Sequence, residues 1–229
     1  MNHSLIVLPL FLASNSMAQR VFEKGAEVVY EDANKNQTNL GRGFSPVLMS
    51  QGKVALIRGR LFGYGEYFDC SKRATKNWVS VYDSVTGTEK TLFDRALPFQ
   101  RDGLMFCIFD QMQMSPDGAV LYLVSPVYAT SGSLAIIHLA HTTVTYVPGV
   151  DRIYVIESGP HRGELIYQRR IDEPLGVHYP FVHARANGQQ IRVLAEEVLA
   201  DENPQAPVLG AYLNKIGGRI SVNGHPFPN

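Results

Sequence analysis

From residue 45 onward, short apolar runs alternate with turns along this chain. The clearest run, Trp78-Val79-Ser80-Val81-Tyr82, ends at Asp83; Ser84-Val85-Thr86-Gly87 follows, and Lys90-Thr91-Leu92-Phe93 returns. The same order recurs down the chain. Phe106 to Ser115 leads into Pro116-Asp117-Gly118, and Ala119 to Val124 returns. Ser133 to Leu139 turns at His141-Thr142 into Val144 to Val147, and Arg152 to Ile156 passes a loop from Ser158 to Gly163 into Glu164 to Gln168. Phe181 to Arg185 turns at Ala186-Asn187-Gly188 into Ile191 to Leu194. Successive side chains on a strand point to opposite faces, so these runs predict strands joined as hairpins. Glycine at the turns permits the positive φ that tight connections need. Helical periodicity is scarce: Val193 to Leu199 predicts at most two turns, with Pro204 close behind. The expected class is all-β.

The hairpins sort into groups of four strands, from about Ser45 to Asp94, Phe106 to Pro148 and Asp151 to Glu196. The third strands begin near Trp78, Ser133 and Tyr179, at spacings of about 55 and 46 residues, which is the footprint of a propeller blade with inserted loops. Ser115-Pro116-Asp117-Gly118 followed by AVLYLVS resembles the hairpin between the first two strands of TolB-type propeller blades, and residues 82–93, YDSVTGTEKTLF, resemble the hairpin joining the outer strands of such a blade. The resemblance covers roughly residues 45–196. It implies blades, and full members of the family have six. Three groups here predict a small or incomplete β-propeller-like array of four-stranded antiparallel sheets, either an open arc or one with a degraded fourth blade drawn from Val21 to Tyr30 and the tail from Pro207 to Pro226. Within that tail, Arg219 to Val222 is expected to form a late strand that fastens to the N-terminal one.

The first eighteen residues depart from this pattern. They contain no Lys, Arg, Asp or Glu, Leu5 to Leu12 are apolar apart from Pro9, and Ser16 and Ala18 stand at −3 and −1 of a cut before Gln19. This arrangement predicts a signal peptide over 1–18, a single β-propeller-like domain over 19–229, and a periplasmic or secreted product. The apolar stretch is shorter than the roughly 20 residues that span a bilayer, so stable membrane insertion is not expected. In an oxidising compartment the two cysteines, Cys70 and Cys107, are placed to form a disulfide.

Charge narrows the partners. Lys plus Arg and Asp plus Glu both number 21, so net charge is zero and nothing draws the chain globally to nucleic acid or anionic lipid. No Gly-x-Ser-x-Gly, phosphate loop or His-Glu-x-x-His occurs. His138 and His141, like His178 and His183, have spacings that a strand sends to opposite faces, so neither a metal nor another cofactor is expected. The insertion at residues 63–76, GYGEYFDCSKRATK, interrupts a blade where most hairpins need two to five residues. Its Tyr64, Tyr67, Phe68 and Arg73 are of the types that anchor protein interfaces, and a Cys70–Cys107 bridge would pin it to the next blade. Asp110 and Gln113 lie on a first strand, which lines the central channel in propellers. The leading expectation is an exported, non-enzymatic module that binds another protein, a toxin or an envelope-complex component, as an immunity protein does. A small-ligand or glycan-binding propeller using Asp110 and Gln113 is the second. A hydrolase or lyase on a propeller frame is the third.

Overall fold

The computed structural model describes residues 19–59, 77–94, 108–125, 132–141, 143–174, 176–194, 205–222 and 225–228. Three four-stranded antiparallel sheets dominate it. The first holds β4 (Phe44–Leu48), β5 (Lys53–Arg58), β6 (Trp78–Asp83) and β7 (Thr88–Phe93) in sequential order. The second holds β8 (Gln111–Met114), β9 (Val120–Ser125), β10 (Ser133–His138) and β11 (Thr143–Pro148). In the third, β12 (Val150–Val155), β13 (Leu165–Arg169), β16 (Phe181–Ala184) and β17 (Gln190–Val193) form the blade, and the hairpin β14 (Ile171–Glu173) with β15 (Gly176–His178) is inserted between its second and third strands. Ahead of them lies a three-stranded sheet of β1 (Arg20–Lys24), β2 (Glu27–Glu31) and β3 (Gln37–Arg42). Helix α1 (Gln205–Ile216) and a hairpin of β18 (Ile220–Val222) and β19 (His225–Phe227) follow.

The sheets stack face to face, and the period-two pattern of each second strand distributes its side chains between two cores. On β5, Val54 and Leu56 face Val28 and Tyr30 of the N-terminal sheet, while Ala55 and Ile57 face the second blade. On β9, Leu121 and Leu123 meet that same layer from the other side, and Val120, Tyr122 and Val124 turn to the third blade. On β13, Leu165 and Tyr167 close the interface with β9, whereas Ile166 points away from it. Every residue of β9 is buried, as expected of a strand covered on both faces.

The turns explain their own sequence. The Ser115 hydroxyl lies 2.5 Å from an Asp117 carboxylate oxygen and accepts from the Val120 amide at 2.9 Å, and that carboxylate oxygen also accepts from the Ala119 amide at 3.0 Å. These donors hold the Asp117 carboxyl below its ordinary range, the Ser115 contact contributing most. Gly118 completes the turn at φ +72°, where a Cβ would be strained. In the outer hairpin, Asp83 accepts from the amides of Val85 at 2.9 Å and Thr86 at 3.3 Å, fixing residues 82–93 as the sequence predicts.

The two ends of the chain correct the sequence reading. Val21 to Tyr30 and the tail do not combine into a blade. The N-terminal segment makes its own sheet over one end of the stack. Arg58 of β5 fastens it, donating to the Leu40 carbonyl at 2.7 Å and to the Arg42 carbonyl, while its guanidinium also grips Glu89. At the other end α1 lies over the third blade: Leu209, Leu213 and Ile220 bury Tyr154, Ile166 and Phe181. The helix was expected earlier, over Val193 to Leu199, but Val193 ends β17 and residues 195–199 lie outside the described part. Pro207 falls in the first turn of α1, where no intrahelical amide bond is required of it. The late strand exists, but β18 pairs with β19 and not with the N-terminal sheet; its neighbour Arg219 bridges to Ser158.

Candidate functional site

The first strands of the blades run side by side in the same direction. The Gln111 amide group donates to the Ile153 carbonyl at 2.9 Å and accepts from the Ile153 amide at 3.2 Å; Gln113 donates to the same carbonyl at 3.0 Å and accepts from the Val155 amide at 3.0 Å. Two glutamines thus imitate a strand and join β8 to β12. Ser45, at the start of β4, donates to the Asp110 carbonyl at the start of β8. Because these strands are aligned, the array has two distinct rims.

At one rim the first strands begin and the second strands end. The second-to-third connections leave and return here: from Arg58 to Trp78, from Ser125 to Ser133, and from Arg169 to Phe181. Each of the first two re-enters over the start of the next blade. The buried Asn77 carboxamide donates to the Phe109 carbonyl at 3.0 Å and accepts from its amide at 2.8 Å. Gly132 donates to the Asp151 carboxylate at 2.6 Å and accepts from the Val150 amide at 3.0 Å. Asp110 sits at this rim. Part of its surface is open, but protein atoms crowd its carboxyl; that desolvation, aided by the neighbouring Asp151 charge, pushes it up to about 6. Burial also raises Asp151.

The opposite rim carries the first-to-second turns: Ser50 to Gly52, Ser115 to Gly118, and the loop from Glu157 to Glu164. An open cavity of about 600 Å³ lies between them, lined by Leu48, Met112, Gln113, Asp117, Glu157 and Ser221 among others. Gln113 borders this cavity, with its amide group engaged by β12. Asp110 is on the other rim, so the two predicted channel residues do not share one site. Tyr64, Tyr67, Phe68, Arg73, Cys70 and Cys107 lie outside the described residues, as does the leader at 1–18.

The third blade holds a cluster that strand spacing conceals. His183 of β16 is 1 % exposed and faces α1, because it shares a strand face with Phe181. Its Nδ1 is 2.8 Å from the Tyr212 hydroxyl of α1, and its Nε2 is 2.7 Å from Glu164 Oε2. The second contact lacks hydrogen-bond alignment, so the buried Nε2 has no hydrogen-bond partner. His161 Nδ1 reaches the same Glu164 oxygen at 2.8 Å. Burial lowers the affinity of His183 for a proton against the opposing pull of Glu164, and His161 adds to the lowering. His183 lies five residues beyond His178 in the sequence, but the fold brings it to His161 and Glu164 from a loop. The hint in the sequence is His161-Arg162-Gly163-Glu164, a His-x-x-Glu that contains Gly163 and follows Gly159-Pro160.

No protein family and no curated protein matches this chain. Solved structures do. The β-propeller domain of the trilobed protease from Pyrococcus furiosus, described as having an open velcro topology, is 13 % identical over 79 % of the chain with a TM-score of 0.51. TolB from Acinetobacter baumannii is 13 % identical over 75 % of this chain and 38 % of its own, with a TM-score of 0.47. An acylaminoacyl peptidase from Pyrococcus horikoshii is 13 % identical over 75 % of this chain and 28 % of its own, with a TM-score of 0.48. The class of protein defined by the stacked sheets and by the first of these likenesses is the β-propeller, present here as an open, partial array. The chain spans 53 % of the length of the Pyrococcus furiosus domain. Identity this low speaks for the fold and leaves activity to be argued from the chain's own residues. Among the described residues no helix is long and apolar enough to cross a membrane.

Proposed function

We propose that this chain is an exported, non-enzymatic protein-binding module, and that the rim bearing the second-to-third connections is its docking face. The observation that carries the reading is the anchoring of those connections: Asn77 on Phe109 and Gly132 on Val150 and Asp151 align their ends along one edge of a rigid stack. Loops held on a rigid scaffold are the usual way a fold presents recognition residues. The segment ending at Asn77 contains Tyr64, Tyr67, Phe68 and Arg73. Such side chains bury much area for little lost rotamer freedom. In its finer form the module is an immunity protein that plugs the cleft of a toxin enzyme with residues 63–76, braced by a Cys70–Cys107 bridge.

Affinity capture from a periplasmic extract, with the intact chain and with residues 63–76 replaced by a short Gly-Ser linker, tests this reading. The intact chain is expected to enrich one partner that the shortened chain loses, while both melt alike. Equal recovery by both proteins, or recovery by neither, would overturn it. The cavity on the opposite rim favours a second reading, a small ligand bound near Gln113 and Asp117. Its weakness is that the Gln113 amide group already serves β12.

A further inference from the structure

We propose that His161, Glu164 and His183 form a binding site for one divalent transition-metal ion of the zinc class, with two imidazole nitrogens and one carboxylate oxygen as ligands. The ligand atoms of the three residues all lie within 4.8 Å of one another. They come from different parts of the third blade, since His161 and Glu164 flank a tight turn and His183 stands on β16. Tetrahedral zinc, with bonds of about 2.0–2.2 Å, needs ligand atoms roughly 3.3 Å apart. The two contacts to Glu164 Oε2, at 2.8 and 2.7 Å, require a small opening. The Glu164 side chain, 28 % exposed, has room to make it.

Two further features point to a ligand. The first is the His183 Nε2 itself, a buried nitrogen without a hydrogen-bond partner that faces the other two ligands. Glu164 Oε2 lies 2.7 Å from it but out of hydrogen-bond line, an imperfect pairing that an ion between the two atoms would complete. The second is Tyr212. Its hydroxyl at Nδ1 accepts the ring proton when His183 is in the tautomer that frees Nε2 for coordination, the orienting arrangement typical of metal-bound histidine. Imidazole donors favour zinc-class ions over magnesium and calcium.

The scaffold is rigid where it must be. The Glu164 amide donates to the His161 carbonyl at 3.0 Å, closing the turn. Gly159, at φ +84°, brings that loop against the end of α1, so that a Cβ there would sit 2.1 Å from the Gly217 carbonyl oxygen. The Glu157 amide donates to the Arg219 carbonyl at 2.7 Å. His161 is 39 % exposed, leaving one side of the site open to water or to a ligand atom supplied by a partner. Three protein ligands with an open position match the reactive type of zinc site more closely than the closed structural type.

Isothermal titration of the chelator-stripped full chain with Zn²⁺, with Co²⁺ absorption as a reporter of coordination geometry, tests the assignment. One ion per chain and a Co²⁺ spectrum of tetrahedral or five-coordinate type are expected. His161→Ala and Glu164→Gln, both on partly exposed residues, are expected to weaken binding at least tenfold, and Tyr212→Phe by roughly tenfold. His141→Ala, an exposed histidine in the β10–β11 turn, is expected to leave binding unchanged. Absence of binding would overturn the proposal. So would equal affinity in His161→Ala and the parent chain, or an equal loss in His141→Ala.

Discussion

Side chains that look like ordinary polar residues do unequal work here. Gln111 and Gln113 replace backbone pairing between two blades, and Asn77 does the same for a connection returning to β6. Asp110 works against the fold. Its carboxyl is pushed up to about 6, chiefly by desolvation and secondarily by Asp151. A folded-state value above the unfolded one means that stability is complete below the ordinary carboxyl range and is lost as pH rises through about 6. Asp110→Asn is therefore expected to be more stable than the parent at pH 8 and equal to it near pH 3.5. With solvent screening at this partly exposed residue the gain is about 1 kcal/mol. Urea unfolding at the two pH values measures it; an equal difference at both would contradict the cause given. That Asp110 and Gln113 belong to one first-strand segment followed from the sequence. Their separation onto different rims did not, because it depends on how neighbouring first strands align.

Among the elements, the blade strands were legible because burial on one or both faces makes them short apolar runs, alternating or continuous, bounded by turn residues. Helix α1 was not. Its sequence carries Pro207 and Gly210, both poor helix residues, and its fold depends on burying Leu209 and Leu213 on the third blade. Gly210 is also packed closely, since a Cβ there would come 3.2 Å from the Phe227 ring. Leu213→Ala is expected to cost about 2–4 kcal/mol through the cavity it leaves under the helix. The loss should appear as a lower denaturation midpoint with little change in slope.

For the molecule as a whole, an open stack of sheets has two greasy ends that a closed ring would not have. The β1–β3 sheet covers one of them, and α1 with its hairpin covers the other, as terminal caps do in repeat proteins. A chain ending at residue 204 would expose Tyr154, Ile166 and Phe181. It is expected to aggregate or to bind a hydrophobic dye that the full chain does not bind; a monodisperse, dye-silent product would show that α1 is dispensable. The same cap holds Tyr212 against His183, so the truncated chain should also lose zinc affinity.

The sequence by itself determined the all-β class, the number and order of the blade hairpins, and the turns at 83–87 and 115–118. These features are local: alternation over a few residues, and side chains bonding to amides two to five positions away. Only the tertiary structure decided what covers the ends of the array, which rim carries the connections, and that His183 meets His161, Glu164 and Tyr212. Those outcomes depend on contacts between residues distant along the chain, and no period or motif in one strand records which face of another will lie against it.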